Sequence, residues 1–301
     1  MRIYIAGIDG MIGSECKRRL EGTHEIIGTT YQTLDLLDYN KVFSFVNSNN
    51  IDLIIMAAAK VGGGYAIYNQ PVEFLEDNIQ MQMNLMKAAR QCNISRFIFI
   101  ASAAVYPASA ESPISETQLL KGELDSIQES YGLAKLMGLY SAQYSNRQYG
   151  TNFVTVIPTN VIANRDNGQV VYSLFKQMNE AKKESKPSIT LWGSGNQRRE
   201  FIFTEDLVDG ICILIENYDN LKHSIYNIGA QNDLSIKELA YMIKEITSYE
   251  GELIFDTTKP EGVYQRLLDS SRLFELGFKP KIELRDGLLK IQSQFDSKSA
   301  Y

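Results

Sequence analysis

The chain has 301 residues, enough for about two domains of ~150 residues each or for one large α/β unit. Hydrophobic residues make up 44% of it and charged residues 22%, which excludes disordered, collagen-like and coiled-coil chains. Thirty basic side chains against 36 acidic ones give a net charge of −6, and the longest basic run is only Lys17-Arg18-Arg19. No nucleic-acid partner is therefore expected.

The cysteines and the apolar runs indicate the compartment. Cys16, Cys92 and Cys212 lie far apart, without the spacing of a metal site, and are predicted to be free thiols. The longest apolar run, Leu53 to Ala59, is far shorter than the ~20 residues that span a bilayer. The chain opens on a strand-like segment and not on a signal peptide. We expect a protein of the reducing cytoplasm, without a membrane partner or a metal.

The first half of the chain alternates short apolar runs with amphipathic stretches. This alternation predicts βαβ units and a parallel sheet covered on both faces. The predicted strands are Ile3–Ala6, Glu25–Thr29, Leu53–Met56, Phe97–Ala101 and Phe153–Ile157, and the predicted helices are Ile12–Leu20, Tyr39–Asn47, Val72–Cys92 and Tyr131–Tyr149. The last two helices carry more apolar positions than one sheet face covers, which predicts a homodimer paired across them.

After Pro158 the pattern is less regular and indicates a smaller α+β domain. The predicted elements there are a helix near Val170–Lys183, a strand at Ile189–Leu191, and helices near Glu205–Ile215 and Ser235–Tyr249. We therefore divide the chain into a dinucleotide-binding domain, 1–158, and a substrate-binding domain, 159–301. The strand-like segment Ile225–Ile228 indicates that a stretch near 200–230 returns to the main sheet.

A glycine-rich loop follows the first strand and opens the first helix. It reads Gly7-Ile-Asp-Gly10-Met-Ile-Gly13. Gly7 permits a tight turn, Gly10 lets the backbone approach a pyrophosphate, and Gly13 allows close packing of helix on strand. The helix N-terminus adds positive potential. A purely structural turn is the alternative, but the order strand, loop, helix favours a Rossmann-type doubly wound sheet that binds a dinucleotide.

The end of the second strand would select between NAD and NADP. An acidic residue there accepts hydrogen bonds from the ribose, whereas an Arg accommodates the 2′-phosphate. Here it reads Gly28-Thr-Thr-Tyr31, neither acidic nor basic. Downstream, the Asp35-Leu-Leu-Asp38 segment is either the loop near the adenine or a solvated helix cap, two readings that the sequence leaves open.

Three side chains form a candidate catalytic set. Tyr131 and Lys135 stand four residues apart, so they share one face of a helix. Ser102 follows the fourth strand, at the sheet edge where ligands of open α/β sheets bind. A phenol is a poor acid–base catalyst at neutral pH unless a cation favours its phenolate, and Lys135 supplies one. Ser102 would then hold a carbonyl oxygen that Tyr131 protonates while a nicotinamide delivers hydride.

Together these motifs resemble the extended short-chain dehydrogenase/reductase superfamily and, within it, the GDP-L-fucose synthase family, which reduces 4-keto nucleotide sugars. The resemblance runs nearly end to end. The matching segments are Ala57-Ala-Ala-Lys-Val-Gly-Gly63, Ser102 through Tyr106-Pro107, Ser145-Asn-Arg-Gln-Tyr-Gly150, Pro158-Thr-Asn160, Leu191-Trp-Gly-Ser-Gly195, Arg199-Glu-Phe201 and Lys259-Pro-Glu-Gly262.

The resemblance implies Ser102, Tyr131 and Lys135 as the catalytic triad. Taken together with the motifs above, the resemblance gives these candidate cofactor-binding residues: Gly7, Asp9, Gly10, Met11, Ile12, Gly13, Asp38, Ala57, Ala58, Ala59, Ala101, Ser102, Tyr131, Lys135, Pro158, Thr159, Asn160 and Val161. The candidate substrate-binding residues are Ala104, Asn160, Gln169, Lys176, Trp192, Arg199 and Arg266. Trp192 suits stacking on a base or sugar and Arg199 suits a diphosphate. A core tryptophan and a surface salt bridge are their alternatives.

The chain departs from the family at two positions. Bifunctional members carry a Cys two residues after the catalytic Ser and a His in a later loop, and this pair epimerises C3 and C5 of the sugar. Here those positions are Ala104 and Gln169, in a loop about five residues shorter than the family's, and neither side chain exchanges a proton at neutral pH. The resemblance thus implies a reductase-only member, as in the heptose reductases of capsule synthesis.

These observations lead to one predicted function and several alternatives. We predict NADPH-dependent reduction of the C4 ketone of a nucleotide sugar, most simply GDP-linked, without epimerisation, in a bacterial surface-polysaccharide pathway. NADH is a second usable cofactor, and Lys60 is a candidate for holding a 2′-phosphate. The alternatives are an NAD-retaining 4-epimerase, a bifunctional epimerase/reductase and a redox-sensing module. A 4,6-dehydratase is disfavoured, because Ala103-Ala104 replaces the Asp-Glu pair that it needs.

Overall fold

The computed structural model describes residues 1–163, 169–259 and 261–298. Its strands are β1 Arg2–Ala6, β2 Glu25–Thr29, β3 Leu53–Met56, β4 Arg96–Ile100, β5 Asn152–Pro158, β6 Asn160–Ile162, β7 Ser188–Trp192, β8 Arg198–Phe203, β9 Ile225–Ile228, β10 Asp233–Ser235, β11 Glu252–Asp256 and β12 Gln265–Arg266. Its α-helices are α1 Met11–Leu20, α2 Tyr39–Ser48, α3 Gly64–Asn69, α4 Pro71–Gln91, α5 Glu129–Tyr149, α6 Val170–Lys183, α7 Thr204–Glu216, α8 Ile236–Thr247, α9 Ser271–Phe274 and α10 Leu284–Lys298.

A six-stranded parallel sheet forms the larger part of the fold. Its strand order is β2-β1-β3-β4-β5-β9, so the chain reverses direction across the sheet between β1 and β3. The central strands are buried along nearly their whole length because helices cover both faces. Helices α2, α4 and α5 pack on one face, and α1 and α7 on the other. The predicted doubly wound parallel sheet is confirmed.

The smaller unit has its own hydrophobic core. Helices α6, α8 and α10 pack there against β7, β8 and β11, around side chains that include Phe175, Leu239 and Leu288. Strand β8 pairs with β6, β10 and β12 in a small mixed sheet. This sheet lies beside the carboxyl end of β5, since β6 follows that strand after a single residue.

The chain crosses between the two units more than once. Strand β9 pairs in parallel with β5 in the large sheet, as the strand-like segment Ile225–Ile228 indicated. Helix α7 packs on α1, and α9 packs on β9. A cut at residue 158 therefore separates β9, α7 and α9 from the core that they help to build.

In the part of the chain that the structure describes, no helix is both long and apolar enough to cross a membrane.

Candidate active site

A cleft of about 410 Å³ lies between the carboxyl edge of the large sheet and the smaller unit. This is the edge at which open α/β sheets bind ligands, next to the point where the strand order reverses. The structure brings most of the predicted residues to its walls: Met11, Ile12, Ala57, Ala59, Ala101, Ser102, Ala104, Tyr131, Lys135, Pro158, Thr159, Asn160, Val161, Gln169, Trp192, Arg199 and Arg266. Both units thus contribute to one site.

Seven predicted residues do not line this cleft. Gly7, Asp9, Gly10 and Ala58 belong to the segments that follow β1 and β3, Gly13 lies in the first turn of α1, Asp38 lies at the start of α2, and Lys176 lies on α6. The Lys176 side chain is exposed, because α6 turns Leu174, Phe175 and Met178 into the core of the smaller unit. The structure therefore does not bring Lys176 into the cleft. The predicted shortening of the loop before Gln169 falls on residues 164–168, outside the described residues.

The glycine loop forms a cradle that side chains would fill. Gly7 has φ +82°, a conformation that favours glycine, and an added Cβ would lie 2.9 Å from the Ala58 backbone. A Cβ on Gly13 would lie 2.1 Å from the Gly7 carbonyl oxygen. Helix α1 begins after Gly10 without a side-chain cap from that residue, so the positive end of the helix dipole lies at the loop. These residues fit the pyrophosphate of a dinucleotide.

The end of β2 carries hydroxyl groups and no charge. Thr29 is buried and its hydroxyl is hydrogen-bonded to that of Tyr4 at 2.7 Å. The Asp38 side chain accepts a hydrogen bond from the Lys41 N–H and caps α2, which is the helix-cap reading of that residue. Lys60 Nζ lies 2.7 Å from Asp77 and 5.8 Å from the Phe74 ring centroid. Since Phe74 packs on Tyr131, Lys60 lies near the predicted catalytic side chains.

Ser102 begins a single helical turn, Ala103–Val105, that follows β4. Its Oγ accepts a hydrogen bond from the Ala104 N–H at 3.2 Å. Since that bond uses an oxygen lone pair, the Ser102 O–H remains free to donate to an oxygen in the cleft. The backbone of this turn therefore sets the direction in which the serine hydroxyl points.

Tyr131 and Lys135 lie on the face of α5 that meets the Ser102 turn. Lys135 Nζ donates to the Ile100 carbonyl at 2.9 Å, which ties the helix to the end of β4. The same ammonium lies 5.8 Å from the centroid of the Tyr131 ring. Phe74 contacts that ring edge-on, with centroids 6.5 Å apart. The Tyr131 ring therefore packs against an apolar ring and lies near Lys135, at the wall of the cleft.

Burial changes the proton affinity of both groups. It raises the pKa of the Tyr131 phenol well above its ordinary value and lowers the pKa of Lys135 to about 7, because each charged form loses its hydration. The phenol thus keeps its proton at neutral pH in the unliganded protein. A protonated phenol is suited to donating a proton to a substrate oxygen.

We expect the stability of the protein to depend on the protonation of Lys135. Between pH 7 and about 10 the unfolded chain keeps this amine protonated while the folded protein releases the proton, so the free energy of unfolding rises with pH. The rise should be at most ~1.4 kcal/mol per pH unit and should be absent in Lys135→Met. Denaturant unfolding of both proteins across this range tests it, with Lys176→Met as the control for a lost exposed lysine. Parallel curves for wild type and Lys135→Met would contradict the prediction.

Two arginines face the cleft from the smaller unit. Arg199 on β8 and Arg266 on β12 are paired in a parallel ladder, so their side chains leave the same face. Burial and the neighbouring Arg266 charge lower the pKa of Arg199 to about 10, and burial lowers that of Arg266. The buried Asp125 carboxylate is the nearby negative charge that raises both pKa values. Among the described residues Arg199 makes no ion pair.

Trp192 lies at the mouth of the cleft. Its side chain is 58% exposed, which excludes the core-tryptophan reading. The Tyr65 ring from α3 meets it edge-on with centroids 6.1 Å apart, and Lys259 Nζ lies 5.7 Å from its ring centroid. Because Tyr65 and Trp192 come from different units, the contact joins the two rims of the cleft. An exposed indole here is available for stacking on a ligand.

The sequence reasoning missed four polar residues of the cleft. Asp125 and Gln128 precede α5, Gln197 precedes β8, and Glu261 accepts a hydrogen bond from the Ser194 N–H beside Trp192. Asp125 lies only six residues before Tyr131, and Glu261 belongs to the Lys259-Pro-Glu-Gly262 segment. The position of these two residues next to predicted motifs was a signal that they belong to the site. Nothing in the neighbouring sequence indicated that their side chains face the cleft.

Comparison with known proteins assigns the family. The sequence model described as the NAD dependent epimerase/dehydratase family matches residues 3–229. The chain belongs to this family. It is 35% identical to GDP-L-fucose synthase of Escherichia coli over 312 residues, which covers 98% of this chain and 96% of that protein. It is 33% identical to GDP-L-colitose synthase of Yersinia pseudotuberculosis, with 98% of each chain covered.

Solved structures of the family agree with this assignment. A GDP-mannoheptose C4 reductase from Campylobacter jejuni with NADP bound is 32% identical, has a TM-score of 0.89, and covers 98% of both chains. A GDP-6-OMe-4-keto-L-xylo-heptose reductase from the same organism is 30% identical with a TM-score of 0.91, covering 99% of this chain and 98% of that one. The predicted resemblance to the GDP-L-fucose synthase family is confirmed.

Proposed function

We propose that this member of the family reduces the C4 ketone of a GDP-linked 4-keto sugar with NADPH and leaves C3 and C5 unchanged. The observation that carries the proposal is the composition of the cleft. Ser102, Tyr131 and Lys135 converge there, while Ala104 and Gln169 occupy the positions of the epimerising pair. Among the cleft residues that the structure describes there is no Cys or His. The set suits one proton transfer to a carbonyl oxygen.

The chain's own residues act on the ketone as donors. The Ser102 O–H donates to the ketone oxygen and holds it in place, and Tyr131 gives that oxygen its proton. The protonated form of Lys135 would stabilise the phenolate that remains. A bound nicotinamide would supply the hydride for C4. Proton donation by a buried phenol favours net reduction over a 4-epimerase cycle, in which the phenol must take up and return the proton.

The smaller unit would bind the nucleotide. Arg199 and Arg266 place two guanidinium groups beside Asp125, the carboxylate whose charge acts on both, and a pair of guanidinium groups fits a diphosphate. Trp192 would stack on the base or the sugar at the cleft mouth. GDP is our choice of nucleotide because the similar proteins are named for reactions of GDP-sugars.

NADPH is the cofactor that we propose, with NADH also usable. The similar reductase from Campylobacter jejuni was solved with NADP bound, which supports this choice. At the end of β2 the described residues offer hydroxyl and backbone groups to a 2′-phosphate, and Lys60 forms an ion pair with Asp77. Because the described residues at the end of β2 offer no charge that would favour the 2′-phosphate of NADPH, we expect appreciable activity with NADH. We place the reaction in the cytoplasm, in bacterial surface-polysaccharide synthesis.

A panel of 4-keto GDP-sugars tests the function. We expect enzyme-dependent oxidation of NADPH with at least one of them, and a larger kcat/KM for NADPH than for NADH. The matching UDP-sugars are the control for the nucleotide. Protein that is purified with stoichiometric NAD and interconverts 4-epimers without consuming NADPH would show the epimerase alternative instead.

We expect no exchange of protons at C3 or C5. Epimerisation removes a proton next to the ketone on one face and returns one on the other, so it needs two further acid–base groups. Ala104 and Gln169 do not ionise near neutral pH. Incubation of a 4-keto substrate with enzyme in D₂O, read by NMR, should show deuterium at these carbons only at the buffer rate. Faster incorporation that depends on enzyme would contradict the reductase-only proposal.

We also propose a homodimer formed by α4 and α5. Leu133, Met137 and Tyr144 follow one another along α5 at helical spacing and are 40%, 48% and 51% exposed, and Val72 on α4 is 57% exposed. Pairing across a two-fold axis would bury this stripe. Light scattering at micromolar concentration should give twice the chain mass, and Met137→Glu should give the monomer. Tyr241→Glu on α8 is the control, and a monomeric wild type would overturn the proposal.

A further inference from the structure

Arg266 is bonded to the backbone on one side and unpaired on the other. Its Nη1 donates to the Ala103 carbonyl at 2.9 Å and to the Tyr106 carbonyl at 3.2 Å. The side chain is only 8% exposed, and within the described structure its Nη2 is buried without a hydrogen-bond partner. A buried N–H without an acceptor costs free energy, so such a group points to a ligand. Arg266 also lines the cleft.

The two carbonyls belong to the turn that carries Ser102. Ala103 opens the helical turn and Tyr106 ends it, and between them the Ala104 N–H donates to Ser102 Oγ. One planar guanidinium therefore spans both ends of the segment that orients the serine hydroxyl. Because the five N–H donors of an arginine are fixed in one plane, holding Nη2 in place also holds Nη1.

We infer that Arg266 couples binding of the substrate diphosphate to the orientation of Ser102. The inference rests on the proposed function for the presence of a nucleotide diphosphate in the cleft. A phosphate oxygen on Nη2 fixes the guanidinium plane, Nη1 then fixes the Ala103 and Tyr106 carbonyls, and the turn presents the Ser102 O–H to the ketone. Arg266 is thus a positioning residue as well as an anion ligand.

Arg199 provides the matched comparison. It lies opposite Arg266 in the same ladder and faces the same cleft. Its Nη1 donates to the Arg198 and Tyr264 carbonyls, which belong to the smaller unit, and none of its described hydrogen bonds reaches the Ser102 turn. Loss of Arg199 should therefore weaken diphosphate binding without uncoupling the turn.

Hydrogen exchange of the full chain tests the coupling, with NADP⁺ in every sample and GDP or UDP as the added nucleotide. Both nucleotides lack the keto sugar of the substrate, so no ketone oxygen contacts Ser102 and the effect on the turn is that of the nucleotide diphosphate. We expect saturating nucleotide to slow amide exchange in the peptide that covers residues 101–107 by at least about threefold. In Arg266→Lys the nucleotide should bind with a Kd up to ~10-fold weaker, and the slowing should disappear. In Arg199→Lys the Kd should rise similarly, and the slowing should remain at saturation.

Steady-state kinetics give a second readout on a 4-keto substrate. Arg266→Lys should lower kcat, whereas Arg199→Lys should act mainly on KM. Slowing of the turn that persists in Arg266→Lys, or nucleotide binding to wild type without slowing, would overturn the inference, as would failure of both nucleotides to bind. If Arg266→Lys does not fold, as judged by thermal unfolding and NADP⁺ binding, the wild-type exchange result decides. Absence of ketone reduction would refute the proposed function and leave the exchange result standing.

Discussion

Replacing Tyr131 with Phe is expected to lower kcat by about 10²–10⁴-fold, the usual contribution of a positioned proton donor. The Tyr131 ring packs against Phe74 and lies near Lys135, so removing its oxygen leaves the ring packed where it is. The Kd for NADPH and the melting temperature should change little. Single-turnover reduction of the 4-keto substrate, with NADPH binding measured by fluorescence, separates these quantities.

Tyr140→Phe is the matched control for this substitution. Tyr140 lies on the same helix, is partly buried, and packs against Tyr144 outside the cleft. It should keep the wild-type kcat. If Tyr131→Phe retained more than about a tenth of the wild-type rate, proton donation by Tyr131 would be refuted, because that loss is smaller than a general acid contributes.

Gly13→Ala is expected to abolish useful binding of the dinucleotide. The new Cβ would lie 2.1 Å from the Gly7 carbonyl oxygen and 3.0 Å from the Ile8 Cα, and both atoms belong to the backbone of the loop. Relief requires α1 to move away from the loop, which opens the cradle and destabilises the fold by about 1–3 kcal/mol. We expect the Kd for NADPH to rise by at least ~100-fold, since the N–H groups of the first turn no longer converge.

Gly22→Ala separates this effect from the general cost of replacing a glycine. Gly22 follows the same helix, and a Cβ there meets nothing within 4 Å. That variant should bind NADPH like wild type. Calorimetric titration of both variants, with thermal unfolding of each, measures affinity and stability together. Wild-type affinity in Gly13→Ala would show that the dinucleotide does not use this loop.

The sequence by itself determined the features that depend on local spacing. The alternation of apolar strands and amphipathic helices required a parallel sheet, since each strand had to be covered on both faces. The glycine loop between β1 and α1 was readable because a strand, a tight turn and a helix follow directly in the chain. Tyr131 and Lys135 were placed together by helical periodicity alone.

Tertiary structure decided the features that join distant segments. Asp125 and Arg266 are 141 positions apart and meet only because β12 pairs with β8 at the cleft. The sequence indicated that Ile225–Ile228 returns to the main sheet, but only strand pairing shows that it lies beside β5 at the edge. Lys176 shows the converse: its charge suited a ligand, but the core packing of α6 turns it to solvent. Spacing along the chain determines which neighbouring residues lie on the same face of a helix or strand. Burial and strand pairing decide which distant side chains face one cavity.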